Sequence, residues 1–119
     1  MGKRILIVDD DPVVRVLISD YLSTHGHSVQ TACHGRTCLV MLETERPDVL
    51  ILDVFMPDMS GQQILRHIRN EQHSQIPVIM LSANSEEDVL SQDLALKADS
   101  YIQKPFEMKA LLDAIDNMG

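Results

Sequence analysis

The chain has 119 residues, of which 45% are apolar and 24% charged, a composition typical of one folded globular domain. Its net charge of −8 argues against a surface that grips nucleic acid phosphates or an anionic membrane. The apolar runs are far shorter than the roughly 18 residues of a membrane span, and no secretory signal follows Met1. We therefore expect residues 1–119 to form one cytoplasmic domain that binds neither nucleic acid nor membrane.

Five short runs have the length and composition of β-strands. They are Ile5–Val8, the weaker Ser28–Ala32, Val49–Leu52, Val78–Leu81 and Tyr101–Ile102. The third run is apolar at every position and is bounded by Asp48 and Asp53. Such a run is typical of a strand that is buried on both faces, as in a parallel sheet.

Segments with helical periodicity follow the strands. The first predicted helix has Asp11 before Pro12 as its N-cap and Gly26 as a left-handed cap at its end. Apolar stripes on the five predicted helices are Val13/Val14/Leu17/Ile18/Tyr21/Leu22, Leu39/Val40/Leu42, Ile64/Leu65/Ile68, Val89/Leu90/Leu94 and Leu111/Leu112/Ile115. The alternation predicts an α/β fold with a single doubly wound, five-stranded parallel sheet and helices on both faces.

Polar side chains follow four of the predicted strands. Asp9–Asp11 follow the first strand, Asp53 the third, Ser82 the fourth and Lys104 the fifth. The carboxyl ends of the strands are the edge at which open α/β sheets bind ligands. We therefore expect these side chains to form one site.

Clustered carboxylates repel one another unless a cation joins them, and oxygen ligands with open positions suit Mg²⁺. Lys104 adds a positive charge for an anionic group, and Ser82 adds a hydroxyl donor. A metal site, a lysine, a hydroxyl and one spare carboxylate as nucleophile indicate phosphoryl transfer.

The strand ends carry four sequence motifs: residues 5–12 (Ile-Leu-Ile-Val-Asp-Asp-Asp-Pro), residues 53–61 (Asp-x-x-Met-Pro-x-Met-x-Gly), Ser82-Ala83 and Lys104-Pro105-Phe106. Together these motifs resemble the CheY-like receiver domain of two-component response regulators. The resemblance implies a flavodoxin-like sheet of order 2-1-3-4-5. It also implies that the protein catalyses only its own phosphorylation and dephosphorylation.

The resemblance further implies a role for each site residue. Asp53 would accept phosphoryl from the phosphohistidine of a sensor histidine kinase or histidine phosphotransfer protein. Mg²⁺ would be held by Asp9, Asp10, Asp53 and the main-chain carbonyl of Phe55. The phosphoryl group would be bound by Ser82, Ala83 and Lys104.

The resemblance also implies which residues control switching and dephosphorylation. Ser82 and Tyr101 would act as a switch that changes the surface of the fourth predicted helix, the fifth strand and the fifth predicted helix, which an unknown output protein would read. Phe55 and Asn84 would border the path of the hydrolytic water and set the rate of dephosphorylation.

One alternative remains, because Asp9-x-Asp11 after the first strand also matches the nucleophile motif of the haloacid dehalogenase class. In that reading the protein is a Mg²⁺-dependent phosphatase with Asp9 as nucleophile. Outside the site, we expect Cys33 and Cys38 to be small buried residues in a reducing compartment. We expect the five histidines to lie on the surface: His25, His27, His34, His67 and His73.

Overall fold

A computed structural model describes residues 2–54, 56, 58–70, 75–82, 98–104 and 106–117, with the Ser82 side chain left out. Its strands are β1 (Arg4–Val8), β2 (Ser28–Ala32), β3 (Val49–Asp53), β4 (Val78–Ser82) and β5 (Ser100–Gln103). The helices of the described residues are α1 (Pro12–Thr24), α2 (Gly35–Thr44), α3 (Gly61–Asn70) and α4 (Met108–Asp116). The fourth predicted helix, at Val89 to Leu94, lies outside the described residues.

The five strands form one parallel sheet of order β2-β1-β3-β4-β5, which confirms the predicted fold and strand order. Val8 lies beside Leu52, and Asp53 beside Leu81. This register brings the residues that follow β1 and β3 to the same edge of the sheet.

Alternate residues of each inner strand face opposite layers of helices, as the period of two along a strand requires. Leu50 and Leu52 pack with α2 and α3, whereas Val49 and Ile51 pack with α1 and α4. All five residues of β3 are buried, as predicted for a central parallel strand. Full burial of such an aliphatic side chain stabilises the fold by about 1.5–3 kcal/mol.

The ends of α1 were predicted correctly, but its apolar stripe was only partly right. The Asp11 side chain accepts a hydrogen bond from the main-chain N–H of Val13, and Gly26 has a φ of +90°. Ile18 and Leu22 are buried, whereas Val13, Val16 and Leu17 are more than half exposed. The predicted stripe was wider than the part of one helix that a sheet can cover.

His27 contradicts the prediction that the histidines lie on the surface, because it is buried at the amino-terminal edge of the sheet. Its Nδ1 accepts a hydrogen bond from the main-chain N–H of Lys3 at 3.0 Å. Its Nε2 lies 3.3 Å from Oδ1 of Asp116 at the end of α4. The imidazole therefore joins the first strand to the last helix. Of the other histidines, His25 and His34 are exposed, His67 is half-buried and His73 lies outside the described residues.

The two cysteines are free and differ in burial. Cys38 is buried in the α2 layer, and its burial raises the pKa of its thiol to about 12. Cys33 was predicted to be buried but is only partly so, because it lies just beyond β2 with Sγ 3.1 Å from Nδ1 of His34.

Candidate functional site

Asp9 directly follows β1, and its side chain is completely buried. Its main-chain N–H donates to the carbonyl of Ala32 at 3.3 Å, which extends the pairing of β1 with β2. Oδ1 accepts a hydrogen bond from the N–H of Asp11 at 2.9 Å, and Oδ2 accepts one from Lys104 at 2.9 Å. Both carboxylate oxygens are therefore engaged.

Asp53 ends β3 in the centre of the same edge and is 5% exposed. The chain beyond it stays attached to the sheet, since Val54 N–H donates to the carbonyl of Leu81 at 2.9 Å. Gly61 begins α3 directly against this turn, and its N–H donates to the carbonyl of Val54 at 2.7 Å. A Cβ atom on Gly61 would lie only 2.6 Å from the carbonyl oxygen of Asp53, so the close approach requires glycine.

Asp9, Asp10 and Asp53 form an acidic cluster in which one ligand oxygen from each lies within 4.8 Å of the others. Asp10 is exposed, whereas the other two side chains are buried. Three carboxylates at this distance repel one another strongly where water is partly excluded. The all-oxygen donor set and the open side at Asp10 fit Mg²⁺, which binds a few carboxylates and keeps several waters.

Lys104 follows β5 and reaches into the acidic cluster. Its Nζ lies 2.9 Å from Oδ2 of Asp9 and 3.7 Å from Oδ1 of Asp53. Burial by itself lowers the pKa of Lys104, but the hydrogen bond to Asp9 and the charges of the surrounding aspartates outweigh it and raise that pKa. The ammonium group therefore stays charged and bridges the ends of β1 and β3.

Tyr101, the predicted switch residue, lies half-buried in β5 and packs against the α2 and α3 layer. Its hydroxyl accepts a hydrogen bond from the main-chain N–H of Ala98 at 3.1 Å. Other predicted site groups fall outside the described residues: the carbonyl of Phe55, the Ser82 side chain, Ala83 and Asn84.

The structure shows two contacts that sequence reasoning missed. Arg15 of α1 donates from Nη1 to the carbonyl of Asp9 at 2.6 Å. Asp58 accepts hydrogen bonds from the main-chain N–H groups of Gly35 and Arg36 at the start of α2. Desolvation raises the pKa of Asp58, but these backbone hydrogen bonds outweigh it and lower that pKa. The spacing of Arg15, one helical turn beyond the acidic run, was a usable signal, whereas the Asp58 contact spans 23 residues.

Comparison with known proteins assigns the family. A model of the response regulator receiver domain matches residues 5–116 of the chain. The chain belongs to the response regulator receiver domain family. This assignment confirms the prediction that it is a receiver domain of a two-component response regulator, and it gives no support to the haloacid dehalogenase alternative.

Curated relatives of this receiver domain include two regulators that are 38% identical to it. The alkaline phosphatase synthesis transcriptional regulatory protein PhoP of Bacillus subtilis aligns over 97% of this chain and 49% of its own length. The response regulator MprA of Mycobacterium tuberculosis aligns over 94% of this chain and 48% of its own length. The receiver domain thus spans about half the length of these relatives.

Solved structures show the same fold. The chemotaxis protein CheY4 of Vibrio cholerae has a TM-score of 0.90 at 30% identity, with complete coverage of both chains. The BeF3-activated N-terminal receiver domain of Klebsiella pneumoniae RstA has a TM-score of 0.86 at 28% identity and covers 95% of each chain. Receiver domains of this family normally bind Mg²⁺ through their acidic pocket, which matches the acidic cluster described above. No helix within the described residues has the length and apolarity to cross a bilayer.

Proposed function

We propose that residues 1–119 act as one phosphoacceptor domain, in which Asp53 accepts a phosphoryl group from the phosphohistidine of a sensor histidine kinase or histidine phosphotransfer protein. The observation that carries this proposal is the position of Lys104, whose ammonium group lies within 4 Å of the carboxylate that follows β1 and of the one that ends β3. A site of this kind accelerates phosphoryl transfer by positioning and by charge neutralisation.

Asp53 is a better acceptor than Asp9 because of what surrounds each carboxylate. The side chain of Asp53 is 8% exposed, whereas that of Asp9 is 0% exposed, and the ammonium group of Lys104 lies nearer to Asp9 (2.9 Å) than to Asp53 (3.7 Å). In the proposed step a carboxylate oxygen of Asp53 forms a bond to phosphorus as the bond from phosphorus to the donor imidazole breaks. The imidazole leaves with the bonding electron pair, and the product is an acyl phosphate on Asp53.

The acidic cluster would hold Mg²⁺ through Asp9, Asp10 and Asp53, with the main-chain carbonyl of Phe55 as a further ligand. The ion would neutralise the negative charge that an approaching phosphoryl group adds to the cluster. Asp10 is the most accessible of the three acids and would ligate most directly. Asp9, whose oxygens are both engaged, would act partly through water.

After transfer, the phosphoryl oxygens would be bound by Lys104, the hydroxyl of Ser82 and the main chain at Ala83. Movement of Ser82 would draw Tyr101 inward, which requires its hydroxyl to give up the hydrogen bond from Ala98. The surface of the fourth predicted helix, β5 and α4 would then change for an output protein. Phe55 and Asn84 would set the rate at which water removes the phosphoryl group.

The phosphodonor protein would dock beside the site, on α1. Helix α1 begins directly after the acidic run and exposes Val13, Val16 and Leu17 by 62%, 57% and 54%. These three side chains form one apolar face at helical spacing, and such faces mark protein contacts. A helix of the donor that packs here would bring its phosphohistidine to the carboxyl edge of the sheet.

Phosphotransfer to the wild type and to Asp53→Asn, with and without Mg²⁺, tests the proposal. We expect labelling of the wild type only when Mg²⁺ is present, and no labelling of Asp53→Asn. Asp48→Asn is the matched control, because Asp48 lies at the opposite end of β3 and binds the N–H of Arg4. Equal labelling of wild type and Asp53→Asn would reject Asp53 as the acceptor.

A further inference from the structure

Among the described residues, the side chain of Arg15 contacts the acidic run through one hydrogen bond. It lies half-buried on the first turns of α1, and its Nη1 donates to the main-chain carbonyl of Asp9 at 2.6 Å. A hydrogen bond from a guanidinium is charge-assisted and stronger than one between neutral groups. The guanidinium of Arg15 is therefore bound to the main chain between the two predicted metal ligands that follow β1, rather than to either carboxylate.

The carbonyl of Asp9 belongs to the same planar peptide unit as the N–H of Asp10. Fixing that oxygen fixes the peptide plane, and with it the direction in which Asp10 leaves the main chain. Asp9 has other restraints, since its N–H and both carboxylate oxygens are bound. Among the described residues, no hydrogen bond or ion pair holds the exposed Asp10 carboxylate. The orientation of Asp10 thus depends on its main chain, and Arg15 holds that main chain.

We propose that Arg15 is a positioning residue for Asp10, which it orients toward the cation site by fixing the Asp9–Asp10 peptide plane. The inference depends on the proposed function, because that function assigns Mg²⁺ to the acidic cluster. Mg²⁺ demands near-ideal octahedral geometry at short distances, so a misdirected carboxylate weakens its binding. Loss of an outer contact that orients a ligand lowers metal affinity by about 10–100-fold.

A purely electrostatic role for Arg15 predicts the opposite result. Removing a positive charge beside Asp9, Asp10 and Asp53 reduces its repulsion of a divalent cation, and the affinity for Mg²⁺ would rise. The positioning role predicts that this affinity falls in Arg15→Met. The direction of the change therefore separates the two roles.

The two ions Mg²⁺ and Ca²⁺ add a second discrimination. Ca²⁺ accepts flexible geometry at longer distances, so a misdirected Asp10 lowers the affinity for Ca²⁺ less than the affinity for Mg²⁺. A change in charge acts on both divalent ions alike. We expect Arg15→Met to raise the dissociation constant for Mg²⁺ about tenfold and that for Ca²⁺ by a smaller factor.

The experiment is calorimetric titration of the whole chain with each ion, for wild type, Arg15→Met and Arg15→Lys. Arg15→Lys keeps the charge and the ability to donate, so it should bind Mg²⁺ with intermediate affinity and should fold even if the methionine variant does not. Arg4→Met is the matched control, because Arg4 pairs with Glu45 at the opposite edge and should leave both constants unchanged. Thermal unfolding in EDTA shows that each variant is folded.

The outcomes are distinct. Two results for Arg15→Met would overturn the positioning role but not the proposed function. One is a fall in the Mg²⁺ and Ca²⁺ affinities by the same factor, and the other is a Mg²⁺ affinity that stays equal or rises. If Arg15→Met does not fold, wild-type affinity in Arg15→Lys would overturn it as well. A wild type that binds no Mg²⁺ would instead reject the proposed function, since the cation site itself would then be absent.

Discussion

The Nζ of Lys104 lies 2.9 Å from Oδ2 of Asp9, so the acidic cluster already contains one cation that belongs to the protein. This ammonium group competes with Mg²⁺ for the same carboxylates. Near a protein surface, charges a few ångströms apart interact by a few kcal/mol, at an effective dielectric constant of about 20. The effect of Lys104 on the metal should therefore be opposite to that of Arg15, which contacts a carbonyl.

The first prediction concerns Lys104→Met. We expect its dissociation constant for Mg²⁺ to fall on the order of tenfold, while its phosphorylation by a small donor slows because the phosphoryl oxygens lose their positive partner. Titration calorimetry and the rate of labelling by acetyl phosphate measure the two effects. Lys109→Met is the control, because Lys109 is exposed on α4. Weaker Mg²⁺ binding in Lys104→Met would contradict the competition.

The pH dependence of stability follows from the same contact. The pKa of Lys104 is raised above its usual 10.5 in the folded protein, so its contribution to stability is fully present below pH 10.5. That contribution is lost as the pH rises through the folded-state pKa. Urea unfolding between pH 9 and pH 12 should show a steeper alkaline loss of stability in wild type than in Lys104→Met. Parallel pH profiles would contradict the stabilising role of the lysine.

The close approach of Gly61 to Asp53 gives a third prediction. Gly61→Ala should lower the free energy of unfolding by about 1–3 kcal/mol, because its Cβ would press on the carbonyl of Asp53 and on Val54. Displacing the end of β3 should also weaken Mg²⁺ binding. Gly26→Ala is the matched control, because an alanine with a φ of +90° lowers the free energy of unfolding by roughly 1–2 kcal/mol. A Cβ atom on Gly26 would contact no site residue, since it has nothing within 4 Å. Equal Mg²⁺ affinity in both variants would contradict the role of Gly61 at the site.

Sequence patterns predicted most of the fold, because the inner strands are apolar runs that are each followed by a polar residue. The register then brings Asp9, Asp53 and Lys104 together without further information. The patterns failed where partners are distant in the chain. His27 is buried against Lys3 and Asp116, which lie 24 and 89 positions away, so the local sequence carries no sign of its burial. The exposure of Leu17 depends on how much of α1 the sheet covers.

The two thiols provide a fourth prediction. Cys38 is buried with its pKa raised to about 12, so it stays protonated and inaccessible near neutral pH. Cys33 is partly exposed. Iodoacetamide at pH 8 should therefore modify one thiol of the native protein, at Cys33, and both after unfolding. Peptide mass spectrometry locates the label, and rapid modification of Cys38 in the native state would contradict the packing of α2.

The fifth prediction concerns the lifetime of the phosphorylated state and comes from the sequence. Phe55 stands two positions after Asp53, where the family resemblance implies that a side chain borders the path of water. Phe55→Asn should dephosphorylate faster than wild type, because a smaller polar side chain admits water. Loss of label from purified phosphoprotein measures the rate, and an unchanged or slower rate in Phe55→Asn would refute the effect.

The central claim is that acids at the carboxyl ends of β1 and β3 converge on one cation and that Asp53 attacks phosphorus. The most direct measurement is to treat the protein with acetyl phosphate in the presence of Mg²⁺, trap the acyl phosphate with borohydride and map the modified residue by mass spectrometry. The account predicts a single Mg²⁺-dependent modification at Asp53. Modification at Asp9, or equal modification at Asp53 without Mg²⁺, would contradict it.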